Sequence, residues 1–129
     1  MATIKRFEDL DIWKDSRKLC KDIFFLSKEN GFNNDYRFKS QILSSSGSIM
    51  DNIAEGFERD GNNEFRQVLA IAKGSCGKTR SQLYRAFDFG YISKESANKL
   101  IEEYQNLSGK IKNFIVYLQN SDYKGNKFK

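Results

Sequence analysis

The stretch FRQVLAIAKGSCGKTRSQLYRAF, residues 65–87, decides which fold the chain adopts. Its segment AKGSCGKT, residues 72–79, matches the loose pattern of a phosphate-binding loop: a small residue, any four residues, then Gly-Lys-Thr. Taken alone, that segment predicts a nucleotide-binding protein. A stripe of apolar or small residues nevertheless recurs every three or four positions through the whole stretch, as in a helix. The stripe consists of Phe65, Leu69, Ala72, Cys76, Thr79, Leu83 and Phe87.

A helix through residues 72–79 leaves no cradle for a phosphate group. The backbone N–H groups of Gly74 to Thr79 would bond to carbonyl groups four residues earlier, so they could not point at a ligand. Lys78 would lie away from the apolar stripe. No other segment supplies the partner strands that such a site needs. The sequence therefore favours a long helix, and nucleotide binding through residues 72–79 is the weakest of three functional hypotheses.

Three further stretches have the same helical period, and turn-forming residues separate them. Asn, Asp, Gly and Ser cluster in residues 30–35, 60–63 and 90–96, where we predict the breaks. The chain contains no proline, so nothing interrupts long helices. We predict an all-α protein, an up-down-up-down four-helix bundle over residues 1–121 with a frayed basic tail over residues 122–129.

The period also predicts which side chains of the other three helices face the core. The first set is Trp13, Ser16, Cys20, Ile23, Phe24 and Ser27. The second is Phe38, Ile42, Ser45, Ile49, Ile53 and Gly56. The last is Ala97, Leu100, Ile101, Tyr104, Leu107, Ile111, Phe114, Ile115 and Leu118.

Composition narrows the classes of function. The 129 residues include no histidine, which excludes Ser-His-Asp and Cys-His catalytic pairs, HExxH zinc sites and the histidine-containing di-iron sites of bundles. The two cysteines, Cys20 and Cys76, lack CxxC spacing and are expected to be small core residues. We expect no enzymatic activity, cofactor or metal. No segment resembles a membrane span or a signal peptide, so we expect a cytoplasmic protein without a membrane partner.

Two groups of basic residues could meet an anionic partner, since 22 Lys and Arg outnumber 17 Asp and Glu. One lies on the first helix, away from its core stripe, and the other is a segment without acids. A basic stripe that includes an aromatic ring suits phosphate contacts and base stacking, and the alternative is a solvated charged face. The first group is Lys14, Arg17, Lys18, Lys21, Phe25 and Lys28, and the second is Lys73, Lys78, Arg80 and Arg85.

The second helix carries an unusual second stripe of small and apolar residues. Residues 40–50, SQILSSSGSIM, contain no charge, whereas a surface helix normally has a charged outer face. Glycine inside a helix costs about 1 kcal/mol relative to alanine, so a packing role is expected for the glycines. We interpret these residues as a subunit interface, and a neutral serine-rich surface is the alternative. The set is Leu43, Gly47, Met50 and Ala54, with Gly74 and Gly77 of the third helix.

A polar motif lies in SIMDNIAEGFER, residues 48–59, along one edge of the core stripe. Glu55 and Arg59 have the favourable spacing for an ion pair within a helix. Without histidine or a second clustered acid, catalysis is the weaker interpretation of Asn52 and Glu55. We interpret the motif as structural, fixing the register of the bundle, and Gly56 as suited to a bend or cap.

The motifs resemble one known family. FEDLDIWKDS at 7–16, SQI at 40–42, SIMDNIAEGFER at 48–59, FRQVLAIAKGS at 65–75 and GYIS at 90–93 have its order and spacing. The family comprises four-helix bundles encoded by intervening sequences in bacterial 23S ribosomal RNA genes, and the resemblance covers about residues 5–120. It includes the accessory variability determinant of diversity-generating retroelements, a homopentameric barrel that binds a reverse transcriptase and nucleic acid through basic surfaces.

The resemblance implies a closed ring with five subunits favoured, no catalytic activity, and an RNA, a DNA or an acidic protein such as a reverse transcriptase as partner. The chain departs from the family pattern at a usual proline, now Met50, and at two usual basic positions, now Leu43 and Ser44. Lys78 and Arg80 stand where acids are usual, so one basic surface is lost and another gained. The first hypothesis is an adaptor for structured RNA or an RNA–protein complex, and the second is a protein–protein scaffold.

Overall fold

The computed structural model describes residues 4–121, which form four long helices. A short 3-10 turn at Phe7–Asp9 precedes helix α1, Asp11–Leu26. One turn of helix, α2 at Asn30–Asn34, lies inside the first predicted break. The other long helices are α3, Tyr36–Glu58, α4, Asn62–Asp88, and α5, Lys94–Asn120. The all-α prediction is confirmed, and the predicted tail at 122–129 lies outside the described residues.

The four long helices pack as a square in which sequence neighbours are antiparallel. Helix α1 contacts α3 and α5, and α4 contacts the same two helices from the opposite corner. The start of α4 meets the end of α5, where the Asn62 side-chain amide donates to the carbonyl of Leu118 at 2.9 Å. Four long helices with this connectivity fit an up-down-up-down bundle. We call the end where α1 and α4 finish and α3 and α5 begin, residues 24–40 and 84–100, the α2 end.

Local signals set the helix boundaries. Asp35 caps α3 by accepting from the backbone N–H of Phe38 at 3.1 Å, and Ser93 caps α5 by accepting from Ser96 at 3.0 Å. The Tyr91 hydroxyl donates to Asp35 at 2.7 Å, and this bond together with the Phe38 bond lowers the pKa of the Asp35 carboxyl. The loop before α4 turns at Gly61, whose φ of 107° favours glycine. Side-chain caps thus mark where α3 and α5 begin, and the turn at Gly61 precedes the start of α4.

Most predicted core positions are buried, and two exceptions matter below. In α3 all six predicted positions are buried, and in α4 all except Phe87 are. Phe87 is 40% exposed because Leu83 and Ala86 occupy the inward positions of the last turn. Phe24 in α1 is 42% exposed, since the buried face of that helix is centred on Ser16, Leu19 and Ile23. The prediction that Phe24 and Phe87 face the core was therefore wrong.

Gly56 allows α3 and α4 to approach closely. A Cβ atom at this position would lie 2.7 Å from the Phe65 ring and 3.2 Å from Val68 Cβ, and both of these residues belong to α4. The sequence suggested a bend or a cap here, but α3 continues to Glu58. The absence of a side chain at Gly56 therefore serves helix–helix packing.

A chain of hydrogen bonds between polar side chains joins α3 to α4. The hydroxyl of Ser45 donates to the Gln82 side chain, and that of Thr79 donates to Ser45 at 3.0 Å. All three residues are buried, so these bonds satisfy groups that water cannot reach. About one helical turn further along, Ser75 donates to Ser48 at 3.2 Å. Sliding α3 along α4 would break these bonds together, so they set the register of the pair.

The contact between α1 and α5 is less tightly filled. Three cavities of about 350, 200 and 460 Å³ lie along this seam. The first lies at the α2 end beside Phe25, and the last lies at the opposite end beside Phe114. We call this line of cavities the α1–α5 seam.

Candidate nucleic-acid interface

The predicted basic residues of α1 lie on one exposed face. Successive residues of a helix are turned by about 100°, which places this group opposite the buried residues Ser16, Leu19 and Ile23. All six members are exposed. We call the set Lys14, Arg17, Lys18, Lys21, Phe25 and Lys28 the basic face of α1.

One cation of this face is already neutralised. The Lys18 ammonium lies 3.1 Å from a carboxylate oxygen of Asp22 and 3.6 Å from one of Glu103. The hydrogen bond to Asp22 is the main cause of the raised pKa of Lys18. Among residues 4–121, Lys14 and Lys21 have no carboxylate oxygen within 4.0 Å, and the same holds for Arg17 and Lys28. These four cations are available to a ligand, whereas Lys18 is a poor choice for a phosphate contact.

Two carboxylates of α1 are paired with lysines of the protein. Asp22 is paired with Lys18, and Asp15 accepts from the Lys110 ammonium of α5 at 2.7 Å. This hydrogen bond also raises the pKa of Lys110. Because both carboxylates are paired, they repel an approaching anion less than free ones would. The pairs are solvent-exposed, so their effect is on the surface charge more than on stability.

Aromatic rings accompany the free cations. Phe25 is 54% exposed, and its ring centroid lies 5.4 Å from that of Phe24. The Lys28 ammonium lies 4.5 Å from the Phe24 centroid, and the Arg17 guanidinium carbon lies 5.5 Å from the centroid of Trp13. The sequence predicts that both rings face the core: Trp13 is half-buried and packs against it, whereas Phe24 is exposed. The spacing of Ile12, Leu19 and Leu26 marks the true inward edge of α1 and could have indicated that Phe24 is exposed.

The second basic group does not form one surface. Lys73 and Arg80 are seven residues apart and share one side of α4, where both are half-buried beside Cys76. Lys78 and Arg85, also seven apart, are exposed on a side turned by about 140° from the first pair. The Arg85 guanidinium carbon lies 4.9 Å from the ring centroid of Phe38 in α3. The hypothesis of a single basic stripe along residues 73–85 is therefore corrected to two separate pairs.

Residues 72–79 lie in the middle of α4 and are helical throughout. Their N–H groups serve the helix, so this segment has no phosphate-loop geometry. The sequence predicts that the apolar stripe of this helix continues without a break through Ala72, Cys76 and Thr79. All three residues are buried, so this prediction is confirmed.

Burial disfavours the thiolate form of both cysteines. Burial raises the pKa of the Cys76 thiol to about 12, and burial also raises that of Cys20. Both are free thiols, which stay protonated at neutral pH and are weak nucleophiles in that state. Within residues 4–121 no cluster of three or more acidic or cysteine side chains is placed to hold a metal ion.

The predicted interface residues of α3 lie on one side of that helix. They are half-buried within the single chain, and Leu43 packs against the core, so the stripe does not lie opposite the core as predicted. Nearby, the Ser46 hydroxyl lies 3.9 Å from the Cys20 sulfur of α1. A Cβ atom at Gly47, Gly74 or Gly77 would meet no neighbouring atom within 4 Å. Packing within one chain does not explain these helical glycines, and the subunit interface stays a prediction for Leu43, Gly47, Met50, Ala54, Gly74 and Gly77.

The polar motif of α3 makes local contacts. The Asn52 amide donates to the carbonyl and to the hydroxyl oxygen of Ser48, both at 2.8 Å. Glu55 and Arg59 form the expected ion pair at 2.7 Å, and both side chains are exposed. Asn52 thus extends the polar chain between α3 and α4 through Ser48, while Glu55 pairs with Arg59, the residue that follows α3.

These features define the class of the protein: an all-helical bundle with a basic, aromatic outer face on its first helix. The chain belongs to the 23S rRNA-intervening sequence protein family, whose model matches residues 8–113. None of the described helices combines the length and apolar character that crossing a bilayer requires.

A solved structure shares the fold. It is the 1.70 Å crystal structure of a protein with unknown function from the S23 ribosomal protein family of Bacteroides thetaiotaomicron VPI-5482. The two chains are 20% identical with a TM-score of 0.74, over 81% of this chain and 94% of that one. No curated protein matches the chain significantly.

Proposed function

We propose that this protein is a non-enzymatic, homo-oligomeric adaptor that binds structured RNA, alone or within an RNA–protein complex, through the basic face of α1. The observation that carries the proposal is a set of four exposed cations on one face of one helix that have no carboxylate partner among residues 4–121: Lys14, Arg17, Lys21 and Lys28. Family membership, with a name that refers to 23S rRNA, favours RNA over other polyanions. Electrostatic contacts of this type suit phosphate groups.

Salt dependence tests this proposal. We expect purified protein to bind a structured RNA with submicromolar affinity at low salt, measured by fluorescence anisotropy. Each phosphate contact releases counterions from the RNA. The logarithm of the association constant should therefore fall linearly, with a steep slope, as the logarithm of the salt concentration rises. Absence of binding at low salt, or binding that salt leaves unchanged, would contradict the proposal.

We further propose that the adaptor is a ring, with five subunits favoured by the family resemblance. Gly47, Gly74 and Gly77 support an oligomer, because each has open space beside it and none is required by packing within the chain. A ring would repeat the basic face of α1 around an axis, so weak contacts would add up to high avidity. Light scattering at micromolar concentration should give a mass several times the 15.0 kDa of one chain. A monomeric mass would exclude the ring.

A scaffold for another protein is the second candidate function. The same cations could meet an acidic protein, such as the reverse transcriptase partner of the retroelement relatives that the sequence resembles. Unlike the adaptor, a scaffold would show no affinity for RNA in the salt titration and would capture its partner in pull-down experiments.

A further inference from the structure

Exposed aromatic rings are concentrated at one end of the bundle. In the described part of the chain, eight large hydrophobic side chains are exposed, and six of them are aromatic. All six lie at the α2 end, where α1 and α4 finish and α3 begins. They are Phe24, Phe25, Tyr36, Tyr84, Phe87 and Phe89. Large exposed apolar patches are uncommon on soluble proteins, and those that occur are often binding sites.

One of these rings borders a cleft. The cavity of about 350 Å³ in the α1–α5 seam lies beside Phe25, with Leu26 and Glu29 on the same wall and Ser96 and Lys99 facing them from α5. Its volume is at the lower end of the range of small-molecule sites, and five of the eight described residues that line it are polar or charged, the paired Lys18 and Asp22 among them. The cleft can therefore admit a planar group and offer it both a stacking surface and hydrogen-bond partners.

The cleft is continuous with the basic face of α1. Phe25 lies one helical turn after Lys21 and one before Lys28, so all three share a side of the helix. The Lys28 ammonium lies 5.5 Å from the Phe25 ring centroid. A nucleic-acid backbone that contacts Lys21 and Lys28 would therefore pass the mouth of the cleft.

We propose that this cleft holds an unpaired nucleotide of the bound RNA, with its base stacked on Phe25 and its phosphate at Lys28. This inference rests on the proposed function and names the part of the RNA that the site selects. Glu29 forms no ion pair among residues 4–121, so its carboxylate can accept from a base N–H group and would repel a phosphate. The base therefore points inward and the phosphate outward. A fully paired base is covered on both faces by its neighbours and cannot enter.

The test compares two RNAs with equal numbers of phosphates, a hairpin with an unpaired loop and a blunt duplex, by fluorescence anisotropy. We expect the natural protein to bind the hairpin about tenfold more tightly, in line with the stacking of one base on one ring. Phe25→Ala should lower hairpin affinity to about that of the duplex, and it should weaken duplex binding by a much smaller factor. Phe25→Trp should retain the preference, because it restores a stacking surface.

Tyr36→Ala is the matched control, since Tyr36 is 78% exposed at the same end but does not line the cleft. It should leave the hairpin preference intact, and circular dichroism should show unchanged helix content in all variants. Equal binding of the two RNAs by the natural protein, or an equal loss for both RNAs with Phe25→Ala, overturns the inference. If the duplex binds with steep salt dependence but the hairpin is not preferred, only this inference fails. If neither RNA binds, the proposed function fails with it.

Discussion

RNA affinity falls by about 100-fold when Lys14→Glu and Lys21→Glu are combined, if the basic face of α1 is the binding surface. Each change removes a free cation that has no carboxylate within 4.0 Å in the described residues, and adds a negative charge near the phosphates. The slope of log affinity against log salt should also fall by about 2, because two phosphate contacts are lost and each contributes about 0.9. Fluorescence anisotropy over a salt series measures both quantities.

The control for this variant changes charge by the same amount on another helix. Lys94 and Lys112 are exposed on α5, so Lys94→Glu with Lys112→Glu has the same effect on net charge. The Lys94→Glu, Lys112→Glu variant should lower RNA affinity by less than about threefold, because its only effect is the change in the long-range electrostatic potential of the protein. Equal losses in both variants would mean that total charge, and not the face of α1, determines binding. Lys18 is avoided as a target because reversing it would also disrupt its pairs with Asp22 and Glu103.

Gly56→Ala lowers the free energy of unfolding by about 1–3 kcal/mol, as expected for an added methyl group in a tightly packed contact. The new Cβ atom would lie 2.7 Å from the ring of Phe65, which is itself buried and cannot easily move. Thermal or urea unfolding, followed by circular dichroism, measures the change. Unchanged stability would mean that α4 can move away from α3 at little cost.

Gly47→Ala is the matched control on the same helix and has the opposite expected sign. Its Cβ atom meets no neighbour, so higher helix propensity should stabilise the chain by about 0.5–1 kcal/mol. If Gly47 lies in a subunit interface, the same change should also reduce the oligomer mass in light scattering. Stabilisation without any change of mass would argue against Gly47 as an interface residue.

The helices could be predicted from the sequence because their patterns are long and uninterrupted. The stripe from Phe65 to Leu83 has enough repeats to outweigh the phosphate-loop match at residues 72–79, and α4 indeed runs through that segment. The side chains at helix ends were harder to assign. Phe24 and Phe87 fit the period, but near a helix end the facing helix decides which side is covered.

The candidate site could be predicted only in part, because a helical projection gives the face of a side chain but not its partners. Nothing in the sequence shows that Lys18 is paired with Glu103, since 85 positions separate them and the contact depends on how α1 packs against α5. The close approach at Gly56 was missed for the same reason. The division of residues 73–85 into two pairs, in contrast, follows from 100° per residue and could have been predicted.

The cavities of the α1–α5 seam have a consequence for the order in which the bundle comes apart. The polar chain from Gln82 to Asn52 holds α3 and α4 together, whereas α1 rests on α5 across incompletely filled space. We therefore expect local opening of the native state to begin at this seam, with α1 separating from α5 before α3 separates from α4. Because α1 carries the basic face, a bound polyanion would oppose that opening by mass action. The helix with the lowest free energy of local opening in the free protein would then be the one that ligand binding stabilises most.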